Sequence, residues 1–162
     1  MRLTGFAVLI AGIAAFSANA SAQGLSTQRV VTIEMAQTMA QEALATCRAN
    51  GIKVTVLVVD ALNMPKLILR DDGATASSVE TAKMKATATM LYERPSGPAQ
   101  PAAPGAATPP AIIPGTVNAT GAFPIKVGDV TIGAISVSGA TGSGQDATCA
   151  AAGLAKIANQ LK

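Results

Sequence analysis

The stretch Gly121–Leu154, GAFPIKVGDVTIGAISVSGATGSGQDATCAAAGL, constrains the fold more than any other part of this chain. It reads as one unit: strand, two-residue turn, strand, glycine-rich loop, helix. Gly128-Asp129 separates two apolar runs, and glycine at the first central position suits a type II′ turn, whose backbone twist matches that of the strands it joins. Val130 to Ser138 is the second strand. Gly139, Gly142 and Gly144 then permit a tight reversal. Ser143-x-x-Asp146 has the spacing of a capping box, and it opens a helix expected to run from Asp146 to Leu161. Ala150, Leu154, Ile157 and Leu161 fall on the inward side of that helix.

Upstream, Thr32 is a good N-cap and Asn50-Gly51 a good stop for a helix between them. Ala36, Met39, Ala40, Ala43, Leu44 and Cys47 recur there at helical spacing as one narrow stripe, whose small residues imply close packing on a sheet. Val54 to Val59 is apolar almost throughout, without alternation, as in a strand buried on both faces. Layers are therefore expected on both sides of the sheet. A second strand ends at Leu67-Ile68-Leu69-Arg70, and Ser77-x-x-Glu80 has the spacing of another capping box, opening a middle helix from Ser77 to Met90. This helix is apolar on two sides: Val79, Ala82, Ala86 and Met90 on one, Met84, Ala88 and Leu91 on the other. One side docks on the sheet, and a second copy of the chain is the economical cover for the other, so a homo-oligomer is expected.

The order of these parts resembles the GlcG/HbpS family of small haem-binding-type domains. The resemblance is carried by the apolar strand ending in Asp60, by Arg70-x-Asp72-Gly73-Ala74, by Lys85-Ala86 inside the middle helix, by Arg94-Pro95 closing it, and by the glycine loop with its Gln145-Asp146 entry. It covers Leu25 to Leu161, interrupted at Ser96 to Thr120. It implies an α/β (α+β) fold: a profilin-like three-layer sandwich with a central antiparallel sheet of four to five strands. The first and last helices would share one face, with the middle helix on the other. It also implies haem or a related tetrapyrrole as ligand. The family is described as haem-degrading too, but no residue here offers the chemistry for that. Ser96 to Pro114, rich in Pro, Ala and Gly and free of charge, departs from the family, which tends to be helical there and near its binding surface. The segment is expected to be an extended loop, read either as a flexible cover or as a tolerated insertion.

The ends bound the setting. Arg2, the apolar run Phe6 to Phe16 and Ala20-Ser21-Ala22 have the layout of a secretory signal cleaved before Gln23, with a cut after Ala20 as the alternative. The apolar run is shorter than the ~20 residues of a membrane-spanning helix. Residues 1–22 are thus expected to be a leader and 23–162 a single domain, exported to a bacterial periplasm. The formal charge is +3 with aromatics at 2%, and the basic residues are scattered. Nucleic acid is excluded as a partner on both counts, and no membrane attachment is expected after the leader is removed.

There is no histidine, which removes imidazole general acid–base catalysis, the Ser-His-Asp triad and imidazole ligation. No paired carboxylates at glycosidase-like positions, G-x-S-x-G elbow or H-E-x-x-H segment appears, so no catalytic residue is assigned. Cys47 and Cys149 are too few for a zinc site. In an oxidising compartment a disulfide is permitted, and the neighbouring first and last helices implied by the resemblance make a bridge conceivable. The alternative is two packed thiols. The candidate ligand-binding residues are Arg70, Asp72, Lys85, Tyr92, Arg94, Gly139 and Gly142. Arg70 or Lys85 would meet a carboxylate such as a haem propionate, against the plainer reading of Arg70-Asp71-Asp72 as a solvated turn. Tyr92 is the sole tyrosine and a conceivable phenolate ligand to ferric iron. The loop Gly139-x-x-Gly142-x-Gly144 is an anion cradle or merely a turn and cap. The competing function is an enzyme or accessory subunit acting on a small hydroxy acid, with Asp72 or Glu93 as base. A structural oligomer without ligand is the third.

Overall fold

The apolar run after Gly51 becomes the inside of the sheet. In the computed structural model, which describes residues 27–98, 113–142 and 144–162, β1 (Thr55–Asp60) lies between β2 (Pro65–Arg70) and β4 (Val130–Ser138). With β3 (Ala122–Val127) at the far edge, the order is β2-β1-β4-β3, antiparallel throughout. Val56 and Val58 enter the core beneath α1 (Ile33–Ala49) and α3 (Gln145–Lys156). Leu57 and Val59 enter a smaller one with Ala82 and Ala86 of α2 (Ser77–Tyr92). The three-layer α+β arrangement implied by the sequence is the one present, with the first and last helices on one face and the middle helix on the other.

Local chemistry sets the element ends. The Thr32 hydroxyl accepts the Met35 N–H at 3.2 Å, and Gly51, at φ +71°, carries the chain out of α1. Five of the six stripe residues are buried, and Leu44 is half-buried. The stripe allows a close approach between α1 and α3, tightest at Gly153, where a Cβ would lie 2.5 Å from the Met39 carbonyl oxygen. Cys47 and Cys149 are bridged across this contact, with Cα atoms 5.6 Å apart, so the two packed thiols are the reading that fails. Gly128, at φ +60°, turns β3 into β4 with Val127 and Val130 paired.

Three expectations about the helices need correction. The capping box at Ser77 does not form. Ser77 is already helical behind Ala76, which is itself in the α-helical region and caps nothing with a side chain. A capping serine must stand outside the helix in extended backbone, and here the Ser78 hydroxyl instead donates to the Thr75 carbonyl at 2.6 Å while Glu80 pairs with Lys83. At α3 the cap position is Gly144, at φ +83°, and Asp146 is drawn into a different bond; Ser143 lies outside the described residues. Third, α2 runs past Met90 to Tyr92, whereas α3 stops at Lys156 and gives way to a short 3₁₀ turn at Ala158–Gln160. The expected leader and most of the Pro-rich segment (99–112) also lie outside the described residues. Among the described residues no helix is long and apolar enough to cross a membrane.

Candidate functional site

The residues singled out in the sequence do not converge on one pocket. Lys85 is drawn inward. It is 3% exposed, and its ammonium donates to Asp146 Oδ2 at 2.7 Å and to the Val137 carbonyl at 3.0 Å. Gly121 lies directly over this pair, and a Cβ there would come within 2.9 Å of Lys85 Nζ. The other Asp146 oxygen accepts the Ala140 N–H at 3.0 Å. An amide of the glycine loop that would greet an external anion is thus occupied by the protein's own carboxylate. Gly139 and Gly142 are placed by crowding: a Cβ would meet the Lys53 carbonyl at 2.5 Å and the Gln145 side chain at 2.6 Å, respectively. The loop is a packed turn tied to the Lys85–Asp146 pair, and Lys85 has no open face to offer a ligand.

Arg70 and Asp72 sit at the end of β2, both exposed. Arg70 donates to the Ala74 carbonyl at 2.8 Å, closing the turn at Gly73. Between them Asp71 is buried beneath α1, where Arg48 contacts it at 3.1 and 2.7 Å and Lys53 at 3.6 Å. The hydrogen bonds from Arg48 hold the Asp71 carboxyl below its ordinary range and push the Arg48 guanidinium further up. At the end of α2, Arg94 stacks over Tyr92 at 5.3 Å from the ring centre and donates to the carbonyls of Pro95 and Gly97. No hydrogen bond or ion pair among the described residues joins Arg70, Lys85 and Arg94.

One concavity among the described residues is a shallow groove that sequence reasoning missed. It is an open channel of about 410 Å³ between edge strand β3 and the end of α3. Phe123, Pro124 and Lys126 form its strand side, and Ala151, Leu154 and Ala155 its helical side. Ala158 and Leu161 close it beyond the helix. Leu154 and Leu161, expected to point inward with Ile157, are only half-buried, whereas Ile157 is fully covered. Leu154 and Leu161 pack at the margin of the α1–α3 core, and three alanines leave the outer flank of the helix shallow. Among the described residues Lys126 makes no ion pair. Arg70 is at the opposite sheet edge, three strand spacings or roughly 14 Å across the sheet, and several residues further along the strands. No group of three or more metal-ligating side chains occurs among the described residues.

A further apolar surface surrounds the β1–β2 hairpin. Asn63 Nδ2 donates to Thr87 Oγ1 at 2.9 Å, which pins the hairpin tip to α2. Leu62 and Met64 there are 77% and 59% exposed, and Leu91 on α2 is 49% exposed. Met84 is half-buried, while Ala88, expected on the same outer side, is already covered within the chain.

Comparison with known proteins is consistent with this architecture. The family described as haem degrading protein HbpS-like matches residues 31–155. The crystal structure of HbpS is similar over 81% of this chain and 92% of its own, at 26% identity and a TM-score of 0.68. That of Klebsiella pneumoniae protein ORFY covers 85% and 97%, at 25% identity and 0.69. PduOC, solved as a complex with haem, shares the fold over 80% and 96%, at 20% identity and 0.66. No curated protein sequence matches significantly.

Proposed function

The chain belongs to the haem-degrading, HbpS-like family, and from that premise we propose that it binds haem or a related tetrapyrrole, weakly and without turning it over. Family membership across most of the chain is the observation that carries this reading. The residues fit the group in part. Lysine and arginine side chains at the surface suit its carboxylates. Tight axial ligation is disfavoured, because the chain lacks histidine and both cysteines are in the disulfide. The bridge also favours export to an oxidising compartment such as the periplasm. The hydroxy-acid alternative requires Arg70 and Lys85 on one substrate, and a Lys85 committed to Asp146 gives it no support.

Self-association belongs to the same proposal. Met84 and Leu91, with Leu62 and Met64 beside them, are the face a second copy would cover. Titrating residues 23–162 with haemin, and separately with small hydroxy acids, tests the ligand. An optical shift saturating near a simple ratio to the sedimenting species is expected. Saturable binding of a hydroxy acid with none of haemin would overturn the reading. Sedimentation above monomer mass, lost in Met84→Glu, is expected of the assembly, and a wild-type monomer at micromolar concentration would refute it.

A further inference from the structure

We infer that the free edge of β2 docks an extended acidic segment of a partner protein, which joins the sheet as a further strand, independently of any tetrapyrrole. The sheet has two edges, β3 and β2, and they are finished differently. In an antiparallel pair, backbone groups alternate between facing the neighbouring strand and facing away from it. On β3 the Val137 N–H donates to the Gly121 carbonyl at 2.8 Å, so Ala122 and Pro124 are the positions that face outward. Ala122 is already occupied: its N–H donates to Ser96 Oγ at 2.9 Å, and its carbonyl accepts the Ser96 N–H at 3.0 Å. Pro124 has no N–H to offer. On β2 the Asp71 N–H donates to the Val54 carbonyl at 2.9 Å. With Arg70 opposite Thr55 and Ile68 opposite Leu57, the N–H and C=O groups of Ile68 and Arg70 therefore point away from β1. Among the described residues no other backbone group bonds to them.

The side chains of this edge select the kind of strand that fits. Ile68 and Arg70 share the α2 face with Leu57 and Thr55, but α2 packs over β1, β4 and β3. Lys66, Ile68 and Arg70 are all exposed, Ile68 at 39%. An apolar residue is thus flanked by two cations, and neither is in an ion pair among the described residues. Arg70 gives one N–H to the Ala74 carbonyl, and of the neighbouring acids Asp71 is committed to Arg48 while Asp72 is exposed. Like charges directly opposite each other destabilise a strand pair, and opposite charges stabilise it. Two copies of β2 paired antiparallel about Ile68 would set Lys66 against Arg70, so this edge rejects a second copy. A chain with an apolar residue between carboxylates at alternate positions is its complement. Its backbone would meet the open groups of Ile68 and Arg70, and its carboxylates the two cations.

The test titrates residues 23–162 with a labelled peptide, Thr-Glu-Thr-Val-Thr-Glu-Thr, reading affinity by fluorescence anisotropy and position by amide hydrogen exchange. Saturable binding is expected, with exchange slowed at the Ile68 and Arg70 amides. Replacing both glutamates by lysine should weaken binding by about fivefold or more, and so should Lys66→Glu, an exposed position whose change leaves the core intact. N-methylation of the valine amide keeps the peptide's charges but removes its donor to the Ile68 carbonyl, and should weaken binding by about tenfold. Equal binding of the lysine peptide would overturn the selection for acidic chains. Undiminished binding of the N-methyl peptide, or binding without protection of the two amides, would overturn strand addition. Protection without peptide that rises with protein concentration would give the edge to a second copy. Absence of binding to any of these peptides would make Lys66 and Arg70 guards of a closed edge and overturn the docking site itself.

Discussion

The two faces of the sheet are closed by different means. On one, α1 and α3 cover Val56, Val58, Ile135 and Val137 with an apolar cluster that runs from Val31 to Ile157, and a disulfide joins the two helices. On the other, α2 alone covers a cluster of only Leu57, Val59, Ala82, Ala86 and Ala134. Polar groups do the rest there. Thr55 and Ser78 share a hydrogen bond at 2.7 Å, Ser136 donates to the Ala82 carbonyl at 2.8 Å, and Lys85 is paired with Asp146. Apolar burial is nondirectional and tolerates sliding, whereas a buried polar bond holds one register and is costly to leave unmade. The α1–α3 layer is therefore a fastened slab. The α2 layer is positioned by a few bonds that also fix the glycine loop.

The largest effect expected from this contrast is at Lys85. Lys85→Met leaves the Asp146 carboxylate buried without its cation, and breaking one side of a buried pair typically costs about 3–5 kcal/mol. Denaturant unfolding should show a loss of that order. Lys85→Met combined with Asp146→Asn should recover part of it, because no bare charge is left. A loss below about 1 kcal/mol in the single variant, the range of exposed ion pairs, would mean that the α2 layer is not held by this bond.

Slightly smaller is the effect of opening the other face. The Cys47–Cys149 bridge spans 102 residues of sequence, and removing a native disulfide from a small domain commonly costs ~2–5 kcal/mol by freeing the unfolded chain. Cys47→Ala with Cys149→Ala should lower stability within that range yet keep the fold, since the alanine-lined α1–α3 contact survives. Two titratable thiols in unreduced wild-type protein would refute the bridge. An effect larger than that of Lys85→Met would reverse the order of the two faces.

These layers were unequally legible in the sequence. The β3–β4 hairpin and the double-sided β1 followed from the Gly128-Asp129 turn and from unbroken apolarity at 54–59, because turn geometry and burial are written locally. The bridge was a permitted pairing only, since two cysteines 102 residues apart are brought together by packing that no local pattern encodes. Lys85 was misjudged for the same reason. Lys85 was read as a partner for a ligand carboxylate, and only the fold reveals Asp146 and the Val137 carbonyl beneath it. The Ser77 capping box failed because spacing alone does not fix whether Ser77 precedes the helix or begins it. The groove at β3 escaped notice because it is made by the early end of α3, an event at Ile157 with no strong breaker in the sequence.

The smallest expected effect sharpens the comparison at its boundary, where the apolar slab has a buried carboxylate of its own. Asp71 is nearly inaccessible at the end of β2, yet its partner Arg48, in the last turn of α1, is half-exposed to water. Arg48 lowers the Asp71 carboxyl in the folded protein relative to the ordinary value, which is about 3.9 for an unfolded aspartate. The folded state therefore binds this proton less readily than the unfolded one. Its contribution to stability is fully present above the unfolded value and is lost as pH falls through the lowered folded value. Between pH 5 and 2, wild-type stability should consequently decline more steeply than that of Asp71→Asn, which has no carboxylate to titrate, and the two curves should approach each other at the acid end. Added salt should narrow the gap at neutral pH, because the Arg48 side of the pair is open to screening. Parallel pH profiles would show that the α1 layer draws nothing from this pair and is fastened by burial and the disulfide alone.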